Sequence, residues 1–205
     1  AMMSQNRIED NESLLKMVEL ARNDSSLIPT MASQLVDKED IPDPALQILA
    51  SSANNEKLES KVLIQILKCL LKPGDPQFLS PIIDALIIVE SRGDRLVLRS
   101  GKDSFLKNNR KLDQFHHALV ELAKGDPKLA KTRWAYSGIV DISSRKNANA
   151  EAKANATAFI KECWSTPTKK ALLITVLVDL RNRSYDDQII DASKDSDTRV
   201  RQAAV

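Results

Sequence analysis

The sequence predicts an all-α fold, a two-layer stack of helical hairpins, and three observations carry that expectation. Helix-length segments with apolar residues at three- and four-residue spacing follow one another from residue 11 onward, parted by short turns. Only 4% of the residues are aromatic and five are Gly, too few for a many-turned β architecture or a Gly-rich phosphate loop. Three segments, "VLIQILKCLL" (62–71), "IIDALIIV" (82–89) and "ALLITVLVDL" (171–180), are apolar nearly all round, so neighbours must cover them on more than one side. With 205 residues, 42% hydrophobic and 28% charged, the chain has the material for a substantial core.

The elements follow in order. "NESLLKMVELAR" (11–22) carries an apolar stripe of Leu14, Leu15, Val18 and either Leu20 or Ala21. "SLIPTMASQLV" (26–36) makes the second helix, with Pro29 tolerated in its first turn. "DPALQILASS" begins at Asp43, expected to cap while Pro44 takes the first helical position. The same Asp-Pro start recurs at Asp75 and Asp126, each preceded by a glycine, Gly74 or Gly125, expected in the left-handed region that closes the helix before it. The spacing of these starts, about 32 and then about 51 residues, marks a degenerate repeat with the basic stretch 92–111 as an insertion. "NANAEAKANATAFIKECW" (147–164) is Ala-rich with scattered charge, the composition of an outer helix. Ten or eleven helices in roughly five hairpins result, with 62–71, 82–89 and 171–180 in the buried layer.

Net charge is +2, unlike a dedicated nucleic-acid binder, but it is unevenly spread. Residues 1–60 hold five Lys and Arg against eleven Asp and Glu, and "RGDRLVLRSGKDSFLKNNRK" (92–111) holds seven basic residues against two acidic. Arg92, Arg95, Arg99, Lys102, Lys107, Arg110 and Lys111 are therefore the candidate binding surface, although a run of this kind is more often a solvated face. Cys69 and Cys163 sit within apolar helical segments without metal, redox or haem spacing and read as buried thiols. The apolar run Ala171–Val178 is far short of the roughly 18 residues of a membrane span. Residues 1–3, "AMM", have no signal-peptide core and read as a cloning scar ahead of an internal fragment. No compartment follows: the cytoplasm is the default, and the periplasm applies if a longer parent carries a signal peptide.

The last residues, "YDDQIIDASKDSDTRVRQAAV" (185–205), carry an apolar first helix, an Asp-containing turn and a second helix opening on Val200 and Arg201. This resembles a HEAT-type repeat of the armadillo-like solenoids, with Asp195 and Asp197 in the turn and Val200, Arg201, Ala203 and Ala204 in the second helix. The resemblance implies a right-handed α-α superhelix. It also implies that Arg201 bonds turn carbonyls or the acidic groups of Asp195 or Asp197. The helix from Thr198 ends at Val205 without a polar cap, so the array is expected to continue beyond 205 and residues 1–205 to be a single repeat domain, with Val200, Ala204 and Val205 only partly covered.

Chemistry is sparse. His116 and His117 are adjacent on a predicted helix, where neighbouring side chains project about 100° apart and do not close on one metal from a single face. One is expected inside and the other in solvent. No nucleophile elbow, phosphate loop or haem-attachment motif occurs, and Asp186 with Asp187 suits a helix start. Trp134, Tyr136 and Trp164 are read as core aromatics, not as the damaged-base platform of a HEAT-like DNA alkylpurine glycosylase. The expectation is a scaffold with no catalytic residue, cofactor or metal, offering a concave surface to another protein or an adjacent domain of the same polypeptide. The alternatives are a HEAT-like DNA-binding protein or DNA alkylpurine glycosylase-type enzyme using 92–111, and a structural module of a multidomain bacterial redox protein.

Overall fold

The computed structural model describes residues 11–107 and 110–205, with the side chains of Asn11, Glu12 and Arg110 excepted; the "AMM" scar read at 1–3 lies outside these residues. Among the described residues there are twelve α-helices and no strand: α1 (Asn11–Asn23), α2 (Ile28–Leu35), α3 (Asp43–Ser52), α4 (Ser60–Leu71), α5 (Leu79–Ser91), α6 (Arg95–Lys102), α7 (His116–Ala123), α8 (Ala130–Ser144), α9 (Ala150–Cys163), α10 (Pro167–Asp179), α11 (Asp186–Ala192) and α12 (Thr198–Ala203). The twelfth helix, beyond the ten or eleven expected, is α6. The basic stretch is not a plain insertion: it winds into α6, a π-helical turn over Asp103–Lys107 and a 3-10 stretch over Arg110–Phe115.

The chain forms two compact units, one from Ala1–Pro73 with Ser80–Lys102, the other from Gly74–Leu79 with Asp103–Val205. In the first, α1 packs on α2 and α3, α2 on α3 and α4, and α4 on α3 and α6. α4 is the centre, with Val62, Leu63, Ile64, Ile66, Leu67, Cys69, Leu70 and Leu71 all buried. In α5, Ile82, Ile83, Ala85, Leu86 and Val89 are buried as well, so two of the three segments assigned to the buried layer lie there. α6 comes in close because Gly101 has no side chain: a Cβ there would lie 2.4 Å from Ile64 Cδ1 and 3.1 Å from Leu86 Cδ2. In α1 the stripe resolves to Leu14, Val18 and Ala21, while Leu15 and Leu20 are exposed. Lys72, just past α4, donates to the carbonyls of Leu35 (3.3 Å), Val36 (2.7 Å) and Lys38, a cation on the unpaired end of α2.

In the second unit α7 packs on α8 and α9, α8 on α9 and α10, α9 on α10, and α10 on α12. α8 is central, buried at Trp134, Ala135, Tyr136, Ile139, Val140 and Ile142. Phe105 meets Trp134 edge-on at 6.2 Å between ring centres, and Tyr136 meets Phe159 of α9 likewise at 5.3 Å. Ala152, Ala156, Phe159, Ile160 and Cys163 form a single buried face of α9, which otherwise faces solvent. The third segment assigned to the buried layer, 171–180, is covered on one side only. Leu173, Ile174, Val176 and Leu177 are buried, but Val178 is 53% exposed. Its contacts with α8, α9 and α12 use that one face.

Helix starts differ from expectation at two places. Asp43 does not cap α3: the carbonyl of Pro42 takes the first helical bonds, from Ala45 at 2.9 Å and Leu46 at 3.1 Å, leaving Asp43 in the first turn where its charge suits the helix dipole. Asp75 caps the 3-10 turn Pro76–Phe78 that leads into α5, accepting from Gln77 N at 3.0 Å. Asp126 does not cap α8: it accepts from Lys128 N at 2.9 Å within a turn, and α8 begins only at Ala130, after Leu129 and without a side-chain cap. Gly74 has φ +70°, as the closing turn requires, but Gly125, expected to do the same, does not have a positive φ; its amide bonds Leu122 O at 3.1 Å.

Leu67→Ala, at a fully buried site of α4, is expected to lower stability by about 3 kcal/mol, whereas Val178→Ser on the open side of α10 should change it by about 0.5 kcal/mol or less. Urea denaturation of the two variants checks the difference.

Candidate functional site

Two residues of the basic segment, Arg92 and Lys107, are engaged in structure. Arg92 donates through Nη1 to Leu58 O at 2.6 Å and through Nη2 to Glu56 O, clamping the loop between α3 and α4. Lys107 pairs with Asp103 at 3.0 Å, one turn away. Arg95 and Arg99 are exposed on α6, Lys102 is half-buried, and Lys111 is exposed at the 3-10 stretch, while the side chain of Arg110 lies outside the described residues. Arg92, Arg95, Arg99 and Lys102 belong to one unit, Lys107 and Lys111 to the other.

At the repeat-like end, Asp197 caps α12 by accepting from the amide of Arg199 at 2.8 Å. Arg199 also bonds its carboxylate at 2.7 Å and pulls the Asp197 carboxyl down to about 2. Arg201 reaches the turn through carbonyls, those of Asp195 and Ser196, both at 2.8 Å. The Asp195 carboxylate goes elsewhere, to Lys170 of α10 at 2.5 Å, and is held below the usual carboxylate range by that bond. The expected Arg201 bond to Asp195 thus exists through the backbone and not through its acid group. Val200, expected to be partly open, is fully buried with Ile174 and Ala192; Ala203 and Ala204 are half-buried against that cluster, and Val205 is exposed.

The richest chemistry lies where α7 and α9 meet. As expected, the histidines divide, His116 with 13% of its side chain exposed and His117 with 75%. They do not diverge, however: the rings lie 3.9 Å apart between centres, tilted by 39°. His116 opens α7 directly after the 3-10 stretch, and its Nδ1 lies 2.7 Å from the carbonyl oxygen of Asp113, which draws the ring back beside its neighbour. A carbonyl only accepts, so Nδ1 carries a proton, and in the neutral imidazole Nε2 then holds the lone pair. That Nε2 is buried and without a hydrogen-bond partner. Glu151, in the first turn of α9, places Oε1 3.8 Å from His116 Nε2 and 3.6 Å from His117 Nε2. One donor atom from each of the three residues lies within 4.8 Å of the others.

Asp113 supports both halves of this cluster. Its carbonyl orients His116, and its carboxylate accepts from Asn149 N at 2.6 Å, while the Asn149 side chain in turn caps α9 at Glu151 N (2.9 Å). The other carboxylate oxygen pairs with Arg145 at 2.8 Å, and Arg145 Nε lies 3.0 Å from Asp141 Oδ2. All three side chains are largely buried. Burial pushes the Asp141 carboxyl up to about 6, with Arg145 opposing and the Asp113 charge adding to the rise.

Trp134 and Tyr136 are buried as core aromatics, and Trp164 is half-buried with Tyr185 and Lys170 beside it. Both cysteines are free and buried, and burial pushes the Cys69 thiol up to about 12, away from thiolate chemistry.

Sequence reading found the two histidines but not Glu151, Asp113, Arg145 or Asp141. The local signals were present: Asp113 three residues before His116, and Asp141 four before Arg145 on α8. The link to Glu151, 34 residues beyond His117, needs the fold. No family model, curated protein or solved structure matches the chain.

Asp113→Ala leaves Arg145 with a single acidic partner in a largely buried place and is expected to cost about 3 kcal/mol, read from chemical denaturation. Because Asp141 holds its proton more tightly folded than unfolded, its contribution is fully present below about pH 4 and is lost as pH rises to about 6. Stability measured from pH 4 to 6.5 should therefore fall more in the wild-type protein than in Asp141→Asn, by about 2 kcal/mol over the window.

Proposed function

We propose that the chain is a non-catalytic interaction scaffold, a right-handed solenoid of HEAT-like hairpins whose concave surface binds another protein or an adjacent domain of the same polypeptide. The observation that carries this reading is the packing order within each unit, where α1 lies against α2 and α3, α2 against α3 and α4, α7 against α8 and α9, and α8 against α9 and α10. Polar bonds follow the same rhythm, joining residues a similar distance apart in sequence: Lys72 to Val36 (36 residues), Arg92 to Leu58 (34), Arg145 to Asp113 (32), Asn149 to Asp113 (36), Asn182 to Ser144 (38) and Arg199 to Thr168 (31). Stacked hairpins of about that length produce such an interval, since each meets its equivalent one repeat earlier. The turn chemistry of Asp197 and Arg201 agrees with the HEAT resemblance.

The scaffold reading is preferred to DNA binding because Arg92 is committed to backbone carbonyls and Lys107 to Asp103. It is preferred to a base-excising enzyme because Trp134 and Tyr136 are buried and unable to stack on a nucleotide.

Two measurements test it. Small-angle scattering should give a radius of gyration above the roughly 17 Å of a compact protein of this length. Crosslinking with mass spectrometry in cells should join exposed lysines to one protein partner or to another domain of the same polypeptide. A compact radius overturns the solenoid. DNA binding with steep salt dependence, weakened by Arg95→Ala and Arg99→Ala, replaces the scaffold with the nucleic-acid reading.

A further inference from the structure

The geometry points to a binding site for one first-row divalent cation of the zinc class, formed by His116 and His117 at the start of α7 and Glu151 at the start of α9. The inference stands apart from the scaffold reading and rests on three observations.

The first is the donor set. Two imidazole nitrogens and a carboxylate oxygen are the ligands that zinc and its first-row neighbours accept, whereas magnesium and calcium require mostly oxygen, and copper(I) favours sulfur. The three donor atoms lie within 4.8 Å of one another, and two of the separations are 3.6 and 3.8 Å. Tetrahedral zinc with bonds near 2.0–2.1 Å holds adjacent donors about 3.3 Å apart. The closure needed is small and falls on His117 and Glu151, whose side chains are 75% and 71% exposed and able to turn.

The second is the state of His116. Its Nδ1–H donates a hydrogen bond to the Asp113 carbonyl at 2.7 Å, which orients the ring and, in the neutral imidazole, leaves the Nε2 lone pair facing the cluster. That nitrogen is buried and hydrogen-bonds to nothing. Buried polar atoms are rarely left in this condition, and a cation at the cluster satisfies it without moving the ring.

The third is the support behind the ligands. Asp113 ties the His116 ring through its carbonyl and the start of α9 through Asn149 N at 2.6 Å, while its own carboxylate is held by Arg145 at 2.8 Å. The spacing between the helix carrying the histidines and the helix carrying the carboxylate is therefore set before any ion arrives. With two exposed ligands, the coordination positions that the protein leaves open belong to solvent. The site is one that holds and exchanges an ion, and the bound ion cross-links α7 to α9.

The test uses the full chain freed of metal by chelation, titrated with ZnCl2 in a calorimeter and, in parallel, with Co2+ while its visible absorption is followed. One equivalent should bind, with a cobalt spectrum free of thiolate charge-transfer bands and no comparable heat from MgCl2. Because both side chains are exposed, His117→Ala and Glu151→Gln should fold normally, which circular dichroism checks, and each should weaken zinc binding by about tenfold or more. Zinc should raise the melting temperature of the wild-type chain and not of the two variants. Absence of saturable one-to-one binding overturns the inference, and so does binding that neither substitution weakens.

Discussion

α4 and α8 set the terms for their units, because their apolar surface runs too far round the helix for one neighbour to cover. A helix buried at Val62, Leu63, Ile64, Ile66, Leu67, Cys69, Leu70 and Leu71 has no wide polar face to offer water. It acquires cover from α2, α3 and α6, as α8 does from α7, α9 and α10. The need for partners on several sides draws short helices into successive contact. It also makes close approaches necessary, such as that of α6, where Gly101 leaves room for Ile64 and Leu86.

Short helices packed this way bring many helix ends into partly buried places, and each end leaves unpaired backbone groups. The chain meets this with side chains drawn from about one hairpin away. Lys72 covers the last carbonyls of α2, Arg92 covers the loop at Glu56 and Leu58, and Asn149 both caps α9 and donates to Asp113. Several charged side chains are committed to these duties, among them Arg92 of the basic stretch that reads in isolation as a binding surface. Asp113 is the clearest case: one residue of a 3-10 stretch holds a buried arginine, the start of a helix and the orientation of a histidine ring.

The helical character was legible throughout, since a 3.6-residue apolar rhythm is local information and survives in any all-α arrangement. The cap at Asp197 and the buried thiols were legible for the same reason. Asp43 was misread because its Pro-containing start permits two registers, and only the backbone bonds to Pro42 O choose between them. α6 was not resolved from the basic stretch, which the sequence left open between loop and helix, because Arg95, Arg99 and Gly101 interrupt the apolar rhythm there. At the candidate site, the division of the histidines into one inner and one outer ring was legible. Their convergence was not: an ideal helix separates neighbours by about 100°, and the bond from His116 to Asp113 overrides that geometry.

By itself, then, the sequence determined that the chain is helical, that the segments of α4 and α5 are buried, and where most turns fall; it did not single out α8, and it took α10 for a helix covered on more than one side. What it determined depends on interactions between residues three or four apart. The tertiary structure decided which charges are committed to helix ends, which side of α10 stays open, and that Glu151 stands opposite His116 and His117. Those facts depend on contacts between residues some thirty or more positions apart, and no local pattern encodes them, because the pairing exists only once one helix has been laid against another.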